Sequence, residues 1–441
     1  MSDQIKLSVK DFRAIKEADI KLNGITVVSG VNGSGKSTLS KFLYYTFKHA
    51  NDYDIIVKNQ LSDSLYDVNR FIFLLEREVS AQGLDIYTFF DNELNLRISE
   101  FLTGKMNDLI DHVKSLTKKY TLKLNNQSVN KNSANRILNT LRNTLDISTQ
   151  NNDFEFLVDK LCSHIQKKFE ITLNVIDKRP QNILLAELKE NFTDDFVLPR
   201  LYSVSEYDVP IISNFSKFVP IVHSVENIAY IDTPMQLGNS GANELWEDLN
   251  EILSYPKNIN SNYRINFIIK KEIIKGDSVL EDETKFTEES VFKFRREDGY
   301  VFDLLDVATG VKSFSILQLL LKNGFLTKNT LLIIDEPEAH LHPQWIVEYA
   351  RILVLLNKEI GVKFFIASHS PDMVSAIKYI SEKEQTTQNL EYYLAEPTNE
   401  NPYLFNYKSL GTNIDPIFES FNIALDRINQ YGISNEPNDL F

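Results

Sequence analysis

Two short strings carry the residue types that could handle phosphate chemistry. Gly30-Val31-Asn32-Gly33-Ser34-Gly35-Lys36-Ser37 fits the pattern G-x-x-x-x-G-K-[ST]. Glycines let a backbone close around phosphate groups with its amides turned inward. Lys36 brings a cation to the β- and γ-phosphates of a nucleotide, and the Ser37 hydroxyl is placed to ligate Mg2+. Asn32, Gly33, Ser34, Gly35, Lys36, Ser37 and Thr38 are therefore the expected nucleotide-binding residues. Far downstream, the apolar run Leu331–Ile334 ends in Asp335 and Glu336. Asp335 is placed to hold Mg2+ through water, and Glu336 to polarise an attacking water. A second apolar run, Phe364–Ala367, ends in Ser368-His369-Ser370-Pro371. One helix and one strand separate it from Asp335, which in a parallel sheet brings both to the same carboxyl edge. His369 is then expected to sense the γ-phosphate. His340 and His342 have no third ligand cluster nearby, so their string reads as a turn packing across a dimer interface rather than a zinc site.

These residues need a parallel sheet to hold them. Residues 5–9 and 18–22 alternate like half-buried strands, and residues 24–29 read as a buried strand feeding the glycine-rich turn. Leu39, Phe42, Leu43 and Phe47 have helical spacing from Lys36 to about His49. From about 75 to 200 the chain is rich in Asn, Lys and Leu and helical in period. Prolines 199, 210 and 220 between apolar runs mark a return into sheet, and 227–231 reads as a short strand. Residues 243–256 suggest a helix, and 264–275 and 290–303 read as strands. From 303 to 379, helices and strands alternate in the α/β manner. The expected divisions are 1–75, an N-terminal lobe with the phosphate loop; 76–200, a helical insertion; and 201–441, a C-terminal lobe.

Composition sets outer limits. The chain has 441 residues, 24% of them charged and 43% hydrophobic, which is ordinary for a globular protein. A net charge of −14 excludes a histone-like nucleic-acid binder, although residues 101–150 hold eight Lys or Arg against three Asp. That stretch reads as a solvated helical hairpin or as a partner-binding arm. Aromatic residues of the kind a single-strand binder interleaves are scarce in it. Cys162 is the lone cysteine, so no intrachain disulfide forms, in keeping with a cytoplasmic setting. No apolar run reaches the ~18 residues of a membrane span, and the first residues lack a signal-peptide pattern.

Taken together, the motifs resemble the ABC-type ATPase heads of the RecF, SMC and overcoming-lysogenization-defect (OLD) group. The string Asp335-Glu-Pro-Glu-Ala-His-Leu-His-Pro343 looks like the Walker B and D-loop region of the OLD-like branch. Phe12-Arg13-Ala14-Ile15 is similar to the group's first strands, where the arginine often contacts nucleotide. Ala308-Thr309-Gly310-Val311-Lys312-Ser313 occupies the place of the ABC signature, with Thr309 for the usual serine and one glycine of the pair retained. The resemblance covers roughly 1–60 and 300–380. It implies an α/β ABC-type P-loop head with a largely helical insertion, ATP and Mg2+ as cofactors, and ATP hydrolysis as activity. It also implies a head-to-head dimer in which Thr309, Gly310 and Lys312 reach the nucleotide of the partner. Gln60 and Gln236 are the candidates for the Q-loop.

No strand ending in an Asp-x-Asp pair follows Asp372, and the seven histidines show no HNH-like pairing. The chain thus resembles stand-alone ATPase subunits of two-component phage-defence systems such as PARIS and Septu, in which a separate protein is the effector. The expected function is a self-assembling ATPase that controls a separate effector, such as a nuclease. The alternative is a RecF-like repair ATPase that binds DNA directly, motivated by the basic stretch at 101–150.

Overall fold

The computed structural model describes residues 5–79, 98–126, 128–147, 153–192, 198–232, 244–254, 263–284, 287–339 and 341–419. They divide into two compact units. One joins Met1–Asn51 to Leu185–Phe441, and the other is Asp52–Leu184. The insertion expected over 76–200 thus compares with a helical unit that starts and ends earlier.

The first unit is built on strands β1 (Ile5–Phe12), β2 (Ile15–Leu22), β3 (Ile25–Ser29), β4 (Leu201–Glu206), β5 (Val209–Ser213) and β6 (Asn227–Ile231). It continues with β7 (Gly276–Thr284), β8 (Thr287–Arg296), β9 (Val301–Asp303), β10 (Thr330–Asp335), β11 (Lys363–Ser368), β12 (Leu390–Pro397) and β13 (Phe405–Gly411). Among the described residues, ten of these form one mixed sheet in the order β5-β4-β1-β2-β13-β12-β3-β11-β10-β6. Strands β7, β8 and β9 form a separate antiparallel sheet.

The two halves of the large sheet follow from two sequence patterns. β1 and β2 alternate buried and outward residues and pair antiparallel, as strands with one covered face do. β3, β10 and β11 are buried along their whole length and pair in parallel, as strands covered by helices on both faces do. β6 adds to β10 in parallel, and β12 adds to the other side of β3.

The helices are α1 (Lys36–Asn51), α2 (Tyr53–Ser64), α3 (Tyr66–Val79), α4 (Ile98–Asn125), α5 (Lys131–Thr144), α6 (Phe154–Lys178) and α7 (Gln181–Asn191). They continue with α8 (Glu244–Ser254), α9 (Tyr263–Phe267), α10 (Thr309–Lys322), α11 (Pro343–Ile360) and α12 (Pro371–Lys383). The first unit buries β3, β6, β10, β11, α10, α11 and α12 residues in one core, with Phe314 edge-on to Trp345 and Tyr349. The second unit is helical and has its own core of Leu, Val, Ile and Phe side chains from α2 to α6. No helix among the described residues is long and apolar enough to cross a membrane.

One expected strand is not one. Residues 264–275 form α9 followed by a π-helical turn, Ile268–Ile273. Ile265, Ile268, Ile269 and Ile273 are buried while Lys270 and Lys271 form ion pairs with Asp277 and Glu297. Short apolar runs of this kind satisfy both a strand and a helix pattern, and packing against α10 and α11 decides for the helix.

Candidate active site

The carboxyl edge of the parallel strands gathers the chemistry. Strand register aligns Asp335 with Ala367, and Ser368 with Ser29. The phosphate loop leaves β3 after Ser29, Glu336 follows β10, and His369 follows β11. Three motifs far apart in the sequence therefore meet because their strands are neighbours and point the same way.

The phosphate loop is shaped by its glycines and by what packs beneath it. Gly35 has φ +95°, and a Cβ there would fall 2.7 Å from Ile15 Cγ1, so any side chain would meet both backbone strain and the β2 strand. Asn32, Gly33 and Ser37 are exposed, Thr38 is half-buried and Ser34 is buried. Tyr407, buried on β13, donates its hydroxyl to the Ser34 carbonyl at 3.0 Å. Lys36 opens α1 and is 5% exposed; its ammonium donates to the Gly30 and Val31 carbonyls at 2.8 and 3.1 Å. Burial lowers the Lys36 pKa, against the opposing pull of Asp335, Glu336 and Glu338. A buried cation in a glycine-rich loop at a helix N-terminus is a strong site for a polyphosphate.

Asp335 is buried at the end of β10. Its Oδ2 accepts a hydrogen bond from the Tyr230 hydroxyl at 2.8 Å, and its Oδ1 has no hydrogen-bond partner. Burial raises its pKa, opposed by the nearby Ser37 and Tyr230 hydroxyls and reinforced by Asp232 and Glu336. A buried carboxylate oxygen left without a donor, beside a serine hydroxyl, is the donor set a Mg2+ ion or its bound water would satisfy. Ser37 and Asp335 fit that ion. Among the described residues no cluster of three or more His, Cys, Asp or Glu fits a metal.

Glu336 is half-exposed and has φ +52°, a left-handed backbone that costs a non-glycine residue about 1–2 kcal/mol. Its amide donates to the Ala367 carbonyl at 2.8 Å, which fixes the turn against β11. Its Oε1 lies 3.6 Å from His369 Nδ1. Glu338, two residues on, is buried. Its Oε1 accepts from the Ser368 hydroxyl at 3.0 Å and from the His369 amide at 2.9 Å.

The remaining expected residues are distributed differently. Arg13 sits in the β1–β2 turn with φ +53°, and its guanidinium lies over the Phe192 ring at 5.4 Å. Thr309 and Gly310 open α10. A Cβ on Gly310 would fall 2.6 Å from Trp345 Cε3, which explains the glycine. Lys312 points inward: it is 7% exposed, and its ammonium donates to the Leu305 carbonyl at 2.6 Å. His342 caps α11, its Nδ1 accepting from the Gln344 amide. His340 and Gln236 lie outside the described residues, and Gln60 lies on α2 in the helical unit.

Sequence reasoning missed Tyr230, Tyr407 and Glu338. Tyr230 and Tyr407 look like ordinary core positions, and only the long-range pairing of β6 and β13 brings them to the site. Glu338 gave no local signal of its own, because its donors, Ser368 and His369, follow a different strand.

A parallel sheet with a phosphate loop after β3, paired acids after β10 and a histidine after β11, flanked by an antiparallel half, defines an α/β P-loop head of the ABC type. The profile of the AAA ATPase domain family matches residues 5–374, and the chain belongs to that family. No curated protein sequence matches it. Similar solved structures include the Smc head domain of Pyrococcus furiosus with an extended coiled coil, bound to the C-terminal domain of ScpA. It is 13% identical with a TM-score of 0.34, over 97% of this chain and 100% of that one. The SMC head domain of Thermotoga maritima is 10% identical with a TM-score of 0.35, over 92% and 99%. The Smc head of Pyrococcus yayanosii is 10% identical with a TM-score of 0.37, over 96% and 100%.

Proposed function

We propose that the chain binds ATP and hydrolyses it to ADP and phosphate, assembles head to head through the nucleotide, and in that state controls a separate effector, such as a nuclease, in antiphage defence. The observation that carries the catalytic part is the single carboxyl edge shared by Lys36, Asp335, Glu336 and His369. The phosphate loop binds the triphosphate, and Lys36 exchanges its loop carbonyls for phosphate oxygens. Mg2+, held by Ser37 and through water by Asp335, neutralises charge on the phosphates when bound. Glu336 accepts the proton of the attacking water, and its half-exposed carboxylate faces the edge where that water arrives. His369 contacts the γ-phosphate and so reports its presence. Thr309 and Gly310 of a second copy complete the site in trans.

The effector part of the reading is supported by the resemblance of Asp335–Pro343 to the OLD-like branch. A second reading, direct DNA binding of the RecF kind, is favoured by the basic stretch at 101–150. The helical unit as a whole nevertheless carries nearly equal numbers of acidic and basic side chains.

Mass photometry and ATP turnover test both readings, with the chain purified alone and together with the product of its neighbouring gene. Glu336→Gln should lower turnover by about a hundredfold or more while trapping ATP and a dimer. Lys36→Ala should abolish tight nucleotide binding. A hetero-complex with the neighbour supports effector control. A chain that stays alone and binds DNA with a steep salt dependence supports the second reading.

A further inference from the structure

We infer that Glu338 is a positioning residue for His369: its buried carboxylate ties the β11–α12 turn to the β10–α11 turn and supplies the acceptor against which the imidazole is oriented. This rests on the ATPase reading above.

The argument begins with a carboxylate where one is expensive. The Glu338 side chain is only 7% exposed, and a buried carboxylate persists when donors compensate it. The donors here all come from the turn that carries His369. Glu338 Oε1 accepts from the Ser368 hydroxyl and the His369 amide, and the Ser368 oxygen in turn accepts from the Ser370 amide at 3.1 Å. The turn after β11 is therefore pinned by one oxygen atom on the turn after β10. The same Oε1 lies 3.3 Å from His369 Nδ1, closer than Glu336 Oε1 at 3.6 Å. Neither contact is aligned as a hydrogen bond, and Nδ1 is buried without a partner, as is Glu338 Oε2. The two unpartnered atoms belong to side chains already in contact, His369 Nδ1 lying 3.3 Å from the other oxygen of the same carboxylate.

The chemistry follows from the two ring nitrogens. A carboxylate beside Nδ1 favours the tautomer that carries its proton there. With Nδ1 held on the acidic side, the Nε2 edge is the part of the ring left to face a phosphate. Glu336 stays free of this duty: it remains half-exposed and available to water, while the buried Glu338 holds the ring. The two glutamates of the Glu-Pro-Glu string thus have separate tasks, one toward water and one toward histidine.

The test is a double-mutant cycle on the full chain with Glu338→Gln, His369→Asn and the pair, reading kcat, KM and ATP affinity. Glu338→Gln should lower kcat about tenfold or more with KM and ATP affinity within about twofold of wild type. Combined with His369→Asn it should add no further loss. Full kcat in Glu338→Gln, or losses that multiply in the double variant, overturn the inference. If Glu338→Gln does not fold, Glu338→Asp keeps the charge but draws it back by one methylene, and the same cycle reads it. A wild type that binds ATP without turning it over overturns the hydrolytic reading and this inference with it. Turnover with multiplicative losses overturns this inference alone.

Discussion

Burial holds the His49 imidazole far below the usual histidine range, at about 4, against the opposing hydrogen bond to Asn191. The ring stacks on Tyr45 at 5.7 Å and is 4% exposed, while the neighbouring Lys48 pairs with Asp248. The unfolded chain titrates this group near 6.5. Between those two values the unfolded state binds more protons, so stability falls as the pH drops through that window. The loss is about 2 kcal/mol at pH 5 relative to pH 7. Urea unfolding at the two pH values should show it, and the difference should shrink in His49→Gln. An unchanged difference would mean that other groups dominate. Asp335 points the other way: burial raises its pKa, so its ionisation at neutral pH opposes folding. The head thus stores unfavourable terms at its site, in the Asp335 charge and the Glu336 backbone.

At the scale of elements, the phosphate loop depends on strands far from it in sequence. β13 reaches the loop through Tyr407, whose hydroxyl holds the Ser34 carbonyl. Tyr407→Phe leaves that buried carbonyl unsatisfied, a loss of about 1–3 kcal/mol. Thermal melts should register it, and calorimetric titration should find ATP affinity reduced several-fold. Unchanged affinity at reduced stability would confine the tyrosine to packing. The sequence made the parallel strands readable, because strands buried on both faces are apolar runs and each ended in a chemically informative residue: Ser29, Asp335, Ser368. It did not make β12 and β13 readable as neighbours of β3 and β2, because pairing between distant strands leaves no local period. The Ile265–Ile273 segment misled for a related reason: its isoleucines fit either period until a partner surface chooses. Glu338 is only one letter of the Asp335–Pro343 string until the Ser368 and His369 donors are seen.

At the scale of the molecule, the helical unit has a core of its own, from Leu61 to Phe169. Residues 52–184 expressed alone should give a helical circular-dichroism spectrum and a cooperative melt. A fragment without a cooperative transition would mean that this core does not suffice. The other unit is discontinuous, formed by Met1–Asn51 and Leu185–Phe441. β3, which delivers the phosphate loop, is flanked by β11 and β12, and β2 by β13. On a ribosome, the loop therefore emerges long before its neighbouring strands, which follow only at Lys363–Ser368 and Leu390–Pro397. The helical unit is able to fold in the interval, being local in its contacts. A nascent chain that has not yet delivered β11 and β12 thus holds the phosphate loop on a strand without either of its neighbours.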